Sequence, residues 1–565
     1  MIPCLLHASY DISGPAAKLM DSDTEFIKLC HEVRSNLRLA AHNGERLEPP
    51  IAKDIYGTLL FLDVLESRFD DAEADIAQLR SLSEKLSVRL TTHIATYSII
   101  QAMRRDGLPS VMREHLENVL ANLPWELVGS EIRRLSADLE ILGPAFIDGL
   151  VEANCKEIHV PGRPLGHQTA AFLIRMRFYR DVMLRFRNDL RDILEDTIRT
   201  KSASTGVNRH SASGTLDAAH DLSPVVIGIW DSGVDLDHFG SRMATSGGRS
   251  SIAWDHNGQP TDGALPFLNP EQLSKLPKLI DLVRGFGETR VGTRSPYSES
   301  FGQEIASLRS SEVTPFLEEL ELIAEYVHGT HLAGVAIDGN PFARLLSVRV
   351  TWEHRFTTEA SFDLNRLRVQ ANLYRESLRF LRDGGARVIN ISWNRSPSLY
   401  ASPVTSDDPK IAPRCLFERD RNELYQLIAD SSEVLFVVAA GNSDQNIERS
   451  EFFPASFDLP NVIVVGAADQ IGNMTTFTNY GAARMVYAEG CDIMSCAPGG
   501  VPLTLSGTSV AAAKVTSLAA KLLALRPELT PSEIVEHVAQ TGLVGPDGTR
   551  SIDVDRALAV IQETI

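Results

Sequence analysis

The sequence predicts an all-α N-terminal bundle followed by an α/β domain with a doubly wound, mainly parallel sheet. From about residue 21 to 200, apolar residues recur at helical spacing, whereas after residue 222 short apolar runs alternate with helical patterns. With 565 residues, the chain is also too long for one ordinary hydrophobic core. We therefore expect a helical domain at 1–200, a flexible linker at 201–222 and an α/β domain at 223–565.

The N-terminal region is predicted to form roughly five to seven helices. Between Ile76 and Ile94, apolar residues recur at three- and four-residue steps, which indicates one long helix with a buried stripe. Because lone histidines in helical segments are usually packed or solvated, His93 and His167 are not interpreted as catalytic groups. Further helical patterns cover 26–41, 55–66, 126–142 and 169–198.

Five short apolar runs predict the strands of the second domain. The first run directly follows the linker, which is rich in small and polar residues. The runs cover 225–230, 345–350, 386–391, 434–440 and 462–466, and helical patterns at 362–382, 418–431 and 510–525 lie between or after them. Strands that alternate with helices form doubly wound sheets, whose binding sites lie at the carboxyl ends of the strands.

The composition disfavours several classes of partner. A formal net charge of −19 argues against nucleic acids and anionic membranes, which need clustered Lys and Arg. Residues 1–11 contain neither a positively charged start nor a sustained apolar stretch, and no apolar run elsewhere has the length of a membrane span. The six cysteines lack metal-ligand spacing and are typical of reduced thiols. We therefore expect a cytoplasmic protein without a membrane span.

Four polar residues stand at the ends or starts of the predicted elements. Asp231 and Asn442 each follow a strand. His328 and Ser509 each begin a small-residue helix, and a hydroxyl at a helix N-terminus is well placed to act as a nucleophile. Taken singly, such residues also fit a cap or a turn. His328 and His331 lie three residues apart but lack a zinc-ligand spacing, so no metal site is predicted.

In the chain order Asp231, His328, Asn442 and Ser509, these motifs resemble those of the subtilisin-like serine proteases, the subtilases. The resemblance covers about 225–559 and implies a subtilisin-like fold and a serine endopeptidase. It further implies that Ser509 attacks the peptide carbonyl, that His328 acts as the base, and that Asp231 orients the imidazole. Asn442, together with the backbone N–H of Ser509, would stabilise the oxyanion.

The resemblance also implies where the substrate binds. The segment after the run 386–391 would pair with extended substrate backbone and, with the end of the run 434–440, would line the primary specificity pocket. Phe452 falls near a position at the base of this pocket that is often Gly in the family, which implies a shallow pocket for small side chains. The implied substrate-binding residues are Ser392, Trp393, Asn394, Ala439, Ala440, Gly441 and Phe452.

The implied reaction needs no cofactor. Calcium can bind in the family at the stretch that corresponds to 237–240, but Phe239 and Gly240 stand where Pro-Asp is common, so we expect no calcium there. Calcium at other positions stays open, because the sequence carries no readable signal for it. The gap between the candidate acid and the candidate base is long for the family. It predicts an insertion at 264–321 near the cleft, as a lid, a docking surface or a plain surface excursion.

The helical region differs from the small α/β pro-domain of typical subtilases. It is expected to regulate the protease or to dock an activating or inhibiting protein partner. Intracellular subtilases with added helical domains resemble effectors of defence or programmed-death systems, which act on a specific protein target. Two alternatives stay open: a catalytically silent binding scaffold and a constitutive peptide-degrading protease.

Overall fold

The structure is a computed structural model in which the chain forms two compact units. The helical unit comprises Met1–Gly206 and Gly292–Glu318, and the sheet unit comprises Val207–Val291 and Glu319–Ile565. The predicted insertion 264–321 is therefore divided between the two units. The described residues are 9–12, 15–42, 47–155, 164–202, 214–219, 221–355, 363–400, 413–545 and 548–563.

The helical unit contains more helices than were predicted. Up to residue 202, its described residues form α1 (Asp23–His42), α2 (Pro49–Leu65), α3 (Phe69–Ser81), α4 (Leu86–Thr91), α5 (Ile94–Met103), α6 (Pro109–Ala121), α7 (Trp125–Ile141), α8 (Pro144–Cys155), α9 (His167–Phe178) and α10 (Leu184–Ser202). A π-helical turn at Tyr179–Met183 joins α9 to α10. Two short strands, β1 (Ser9–Tyr10) and β2 (Leu165–Gly166), pair antiparallel.

The single long helix predicted between Ile76 and Ile94 is wrong, because the chain turns twice in this stretch. After α3 ends, the Ser83 hydroxyl donates to the carbonyl of Leu79 at 3.0 Å. Before α5 begins, His93 adopts a φ of 54°, a left-handed conformation that interrupts a right-handed helix. The helical spacing persists across the breaks because α3 and α5 bury their apolar residues in the same core.

A mainly parallel sheet forms the centre of the sheet unit, as predicted. The strands of the unit are β3 (Val225–Asp231), β4 (Ser251–Trp254), β5 (Pro260–Thr261), β6 (Ala343–Val350), β7 (Ala386–Ile391), β8 (Leu435–Ala439), β9 (Val462–Ala468), β10 (Met485–Glu489), β11 (Ile493–Ala497), β12 (Val501–Leu505), β13 (Leu543–Val544) and β14 (Arg550–Ser551). Ten of them form one sheet in the order β13-β14-β10-β9-β8-β7-β3-β6-β4-β5, with β5 and β13 antiparallel to their neighbours. The strands β11 and β12 form a separate antiparallel hairpin.

Helices cover both faces of this sheet. The described helices after residue 202 are α11 (Leu236–Phe239), α12 (Pro270–Val291), α13 (Pro296–Ser307), α14 (Ser310–Ile337), α15 (Leu364–Asp383), α16 (Pro413–Ala429), α17 (Ile447–Ser450), α18 (Thr508–Leu525), α19 (Pro531–Thr541) and α20 (Val554–Glu563). Of these, α13 belongs to the helical unit and does not cover the sheet. Successive side chains of a strand face opposite sides, so Ile229 packs in the core with α18 and α20, whereas Trp230 packs with α15 and α16. Among the described helices α18 is long and apolar enough to span a membrane, but 89% of it is buried within the protein.

His328 lies in the interior of α14, and the prediction that it begins a helix is wrong. The helix starts eighteen residues earlier, at Ser310, because buried apolar residues continue the helical spacing upstream through Val327, Ile323 and Leu320. Residues 310–318 of α14 belong to the helical unit, and the remainder belongs to the sheet unit. The helix that carries the candidate base therefore begins inside the predicted insertion.

The predicted linker at 201–222 is described only in part. Residues 203–213 and residue 220 lie outside the described residues, and α10 extends as far as Ser202. Leu216 is buried in the core of the sheet unit, and its N–H donates to the carbonyl of Gly339 at 2.9 Å. The chain is thus packed on the sheet unit before β3 begins.

Candidate active site

The carboxyl ends of three neighbouring strands bring together residues that are distant in the sequence. The strands β8, β7 and β3 are adjacent and parallel. Asp231 ends β3, Ser392 follows β7, and Asn442 follows β8 by three residues. In each case a buried run of apolar residues ends where a polar residue reaches the edge of the sheet. The strand order therefore assembles the site that the motifs predicted separately.

Asp231 and His328 form a hydrogen-bonded pair. The Nδ1 atom of His328 lies 2.6 Å from Oδ1 of Asp231, whose side chain is 1% exposed. Ser232 donates to the same oxygen through its backbone N–H at 2.8 Å and its hydroxyl at 3.1 Å. Burial lowers the pKa of His328, but the charge of Asp231, the hydrogen bond to it and the charge of Glu321 outweigh burial, so the pKa is raised. A carboxylate on Nδ1 leaves Nε2 as the basic nitrogen.

Ser509 is the second residue of α18, and its hydroxyl contacts a backbone carbonyl. Its Oγ donates to the carbonyl oxygen of Ser392 at 3.5 Å, the outer limit of a hydrogen bond. In the described part of the chain, no hydrogen bond joins Ser509 to His328. Before a substrate binds, the hydrogen bond between nucleophile and base is often long or not yet formed.

Thr508 fixes the orientation of the candidate oxyanion donor. The backbone N–H of Thr508 donates to Oδ1 of Asn442 at 3.0 Å, and its hydroxyl donates to the same oxygen at 2.9 Å. Because the amide oxygen is held in this way, the amide N–H₂ of Asn442 is the group left to meet an oxyanion. The Thr508 hydroxyl also accepts from the N–H of Gly441 at 3.1 Å. This role of Thr508 was not predicted, although the residue directly precedes the candidate nucleophile.

Asn479 holds the loop that carries Asn442. Its side-chain oxygen accepts from the N–H groups of Ser443 at 3.0 Å and Gln445 at 2.9 Å, and its nitrogen donates to the carbonyl of Ala440 at 3.0 Å. Gly441 packs closely against it with a φ of 98°, and a Cβ there would lie 2.5 Å from the Asn479 amide. No local pattern marks Asn479, because its partners lie 34 to 39 residues upstream.

One cavity of about 370 Å³ joins the predicted catalytic residues. Asp231, His328, Asn442 and Ser509 all line it, together with the predicted substrate-binding residues Ser392 and Trp393. The other predicted substrate-binding residues do not line this cavity; they are Asn394, Ala439, Ala440, Gly441 and Phe452. Asn394 instead joins two backbone segments, donating to the carbonyl of Ala439 at 2.7 Å and accepting from the N–H of Ala455 at 3.2 Å.

Further residues of helices α12 and α14 line the same cavity. The helix α12 contributes Val283, Phe286 and Arg290, and α14 contributes Glu321 and Glu325. All of these residues belong to the sheet unit. Part of the predicted insertion therefore lies at the cleft, where it narrows the space available to a substrate.

The carboxylate just before the stretch 237–240 is bonded to backbone donors. One oxygen of Asp235 accepts from the backbone N–H groups of Asp237 and His238. Its other oxygen accepts from the N–H of Gly499 at 2.7 Å. Both oxygens of Asp235 therefore hold the local backbone.

Comparisons with known proteins place the chain among proteases. The model of the subtilase family matches residues 223–553, more than half of the chain. The subtilisin-like serine protease Pen ch 13 of Penicillium rubens is 40% identical over 123 residues, which cover 21% of this chain and 30% of that protein. Proteinase R of Parengyodontium album is 38% identical over 114 residues, which cover 20% of this chain and 28% of that protein. The chain spans less than a third of the length of these relatives.

Solved structures are similar at low identity. A cold adapted subtilisin-like serine proteinase aligns with 61% of this chain and 96% of its own, at 17% identity and a TM-score of 0.36. The self-cleaved protease domain of PatA aligns with 61% of this chain and 99% of its own, at 21% identity and a TM-score of 0.34. The assignment is carried by the family match, which confirms the resemblance drawn from the four motifs. The chain belongs to the subtilase family.

Proposed function

We propose that the chain is an intracellular serine endopeptidase that cleaves peptide bonds through an acyl-enzyme and is controlled by its helical unit. The catalytic part of the proposal rests on the 2.6 Å contact between His328 and Asp231. Ser509 and Asn442 line the same cavity as this pair. A nucleophile, a base, an orienting acid and an oxyanion donor share one cleft.

Acylation begins when Ser509 Oγ turns from the Ser392 carbonyl towards Nε2 of His328. His328 accepts the hydroxyl proton while Oγ attacks the substrate carbonyl carbon, and Asp231 stabilises the imidazolium that forms. The amide N–H₂ of Asn442 and the backbone N–H of Ser509 donate to the oxyanion. The tetrahedral intermediate then collapses: the peptide C–N bond breaks, and His328 returns the proton to the leaving amine.

Deacylation repeats these steps with water as the nucleophile. His328 accepts a proton from the water as its oxygen attacks the ester carbonyl. The ester C–O bond then breaks, and His328 returns the proton to Ser509 Oγ. The products are a peptide with a new carboxyl terminus and the free enzyme.

Control by the helical unit is proposed from the way in which the chain is divided. The segment Gly292–Glu318 stands between Asp231 and His328 in the sequence, yet it belongs to the helical unit. The helix that carries His328 starts within this segment. Binding of a protein partner to the helical unit would therefore act on His328 through the continuous helix α14. Because intracellular subtilases with added helical domains resemble effectors of defence or cell-death systems, we further propose a specific protein target in such a system.

Labelling with a fluorophosphonate probe tests the catalytic proposal. The full-length protein is expected to be labelled, and Ser509→Ala is expected to abolish labelling because the attacking hydroxyl is gone. Ser443→Ala is the matched control, since Ser443 is an exposed serine next to Asn442. Folded wild-type protein that stays unlabelled in a cell extract as well as in pure form would favour the silent scaffold.

New peptide N-termini in a cell extract test the proposed selectivity. Mass spectrometry is expected to show a few new termini, in few proteins, in extracts treated with the wild type and none of these in extracts treated with Ser509→Ala. Many new termini spread over unfolded proteins would indicate constitutive peptide degradation instead.

Gly149→Ala tests control by the helical unit. Gly149 lies in α8, and a Cβ there would stand 2.6 Å from Cβ of Val313 and 2.8 Å from the carbonyl oxygen of Ser310. The substitution therefore wedges α8 against the start of α14 inside the helical unit. We expect the labelling rate of Ser509 to change by about tenfold, which corresponds to about 1.4 kcal/mol of coupling.

Gly57→Ala is the matched control for this wedge. Gly57 is also a glycine inside a helix, α2, but no atom lies within 4 Å of a Cβ at this position. Its labelling rate is expected to equal that of the wild type. Equal rates for Gly149→Ala and Gly57→Ala, with a measurable loss of stability in the former, would contradict control by the helical unit.

A further inference from the structure

Glu325 is a largely buried carboxyl group that the proposed mechanism does not use. It lies in α14, three residues before His328, so the two side chains share a face of the helix. Glu325, His328 and Asp231 line the same cavity. An acidic residue is thus placed one helical turn from the base, on the cavity that the orienting acid also lines.

Two carboxyl oxygens in this cluster lack a hydrogen-bond partner. Asp231 receives three donors on Oδ1, from His328 and from the backbone and hydroxyl of Ser232, whereas its buried Oδ2 receives none from the described residues. Oε2 of Glu325 is likewise buried without a partner among the described residues. A buried polar atom without a partner destabilises the folded protein, so two such atoms in one cluster need an explanation.

We propose that Glu325 is a positioning residue for the Asp231–His328 pair, and that its carboxyl group donates the hydrogen bond that Oδ2 of Asp231 lacks. The inference rests on the proposed function, because it concerns the same catalytic pair. No hydrogen bond joins the two carboxyl groups in this structure, so the Glu325 side chain must turn about its own torsions to make it. One such contact satisfies both oxygens and holds Asp231 against rotation away from His328.

A carboxyl group donates only while it carries a proton, and the surroundings of Glu325 favour that state. Burial, followed by the negative charges of Glu321 and Asp231, raises the pKa of Glu325 to about 8, against the opposing effect of the Trp352 backbone N–H and with a smaller contribution from Glu353. At neutral pH the group is therefore protonated and is able to donate.

Several other charged groups lie near Glu325. Arg349 donates through Nη1 and Nη2 to the carbonyls of Leu265 and Asp262, both at 3.1 Å, whereas its buried Nε has no hydrogen-bond partner among the described residues. Glu353 forms an ion pair with Arg355 at 2.8 Å. Arg290, which lines the same cavity from α12, is exposed and lies over the ring of Phe286. His328 is already bonded to Asp231 through Nδ1.

The proposal predicts a loss of activity at alkaline pH. As the pH rises through about 8, Glu325 loses its proton and with it the ability to donate to Asp231. The new negative charge also favours the imidazolium form of His328, which cannot take the proton of Ser509. Both effects lower the rate of acylation.

The test is the pH dependence of Ser509 labelling by a fluorophosphonate in the full-length protein. The maximal labelling rate is separated from the affinity for the probe. Glu325→Leu is expected to lower the maximal rate by about 10- to 100-fold with little change in affinity, the size expected for a lost hydrogen bond to a charged group. Glu325→Gln is expected to restore labelling relative to Glu325→Leu and to abolish the alkaline decline, because an amide donates at every pH.

Glu321→Gln provides the matched comparison. It removes an exposed carboxylate from the same helix and the same cavity, and it is expected to keep the alkaline decline but to move it to lower pH, because a charge that raises the pKa of Glu325 is gone. An alkaline decline that persists in Glu325→Gln would overturn the proposal, as would a Glu325→Leu protein that changes only the affinity for the probe. Wild-type protein that is never labelled would instead overturn the proposed function itself.

Discussion

Asp231→Asn should lower the rate of Ser509 acylation by about 10⁴-fold, the loss typical of a triad whose acid becomes an amide. The oxygen that accepts from His328 also accepts twice from Ser232. An amide in this place carries no charge to stabilise the imidazolium. If its nitrogen faces the ring, it also selects the tautomer whose Nε2 already bears a proton and cannot act as the base.

The same substitution should move the acid limb of the pH profile to lower pH. The pKa of His328 is raised by the charge of Asp231 and the hydrogen bond to it, while burial acts to lower it. Without the carboxylate only the smaller effect of Glu321 opposes burial, so the base loses its proton at lower pH. Labelling rates between pH 5 and 8 measure both effects, with the exposed Asp237→Asn as the control. A loss smaller than tenfold would show that Asp231 does not orient the base.

Asn442→Ala should lower the acylation rate by about 100- to 1000-fold while leaving the affinity for a peptide ligand nearly unchanged. Thr508 donates twice to the amide oxygen, so the amide nitrogen is already directed at the site before any substrate arrives. A donor oriented in advance stabilises the charge of the transition state without first having to reorganise.

Thr508→Ser and Thr508→Val test whether the oxyanion donor Asn442 depends on the hydrogen bonds made by the Thr508 hydroxyl. Serine keeps the hydroxyl that bonds Asn442 and Gly441 and should retain most of the rate, whereas valine keeps the shape and loses both hydrogen bonds. Valine should therefore cost activity in the same direction as Asn442→Ala, but less. If Asn442→Ala weakened only ligand affinity, its place in the oxyanion site would be wrong.

The central part of the fold and the four motif residues were accessible from the sequence because their signals are local. A buried strand that ends in Asp or Gly-Asn, and a Gly-Thr-Ser turn that enters an apolar helix, each need only a few neighbouring residues. Their chain order then indicated the family. The five central strands were found in the same way, since each is a short apolar run bounded by polar residues.

The features that were missed depend on residues that are far apart in the sequence. Asn479 has no local signal, because its role is to hold a loop 34 to 36 residues upstream. In the sequence, Glu325 is indistinguishable from an ordinary surface residue of a helix, and only the fold brings it to the cavity that Asp231 also lines. The turn at His93 was hidden for a related reason: consecutive short helices that face one core keep the apolar spacing of a single long helix.

The division of the chain between the two units has a consequence for its synthesis on the ribosome. A chain emerges from its N-terminus, and domains generally fold as units while it does so. The helical unit receives its last residue at Glu318, before His328 and long before Ser509. Every residue of that unit is therefore available for folding before the nucleophile has been translated, so a newly made chain never carries a complete triad without a complete helical unit.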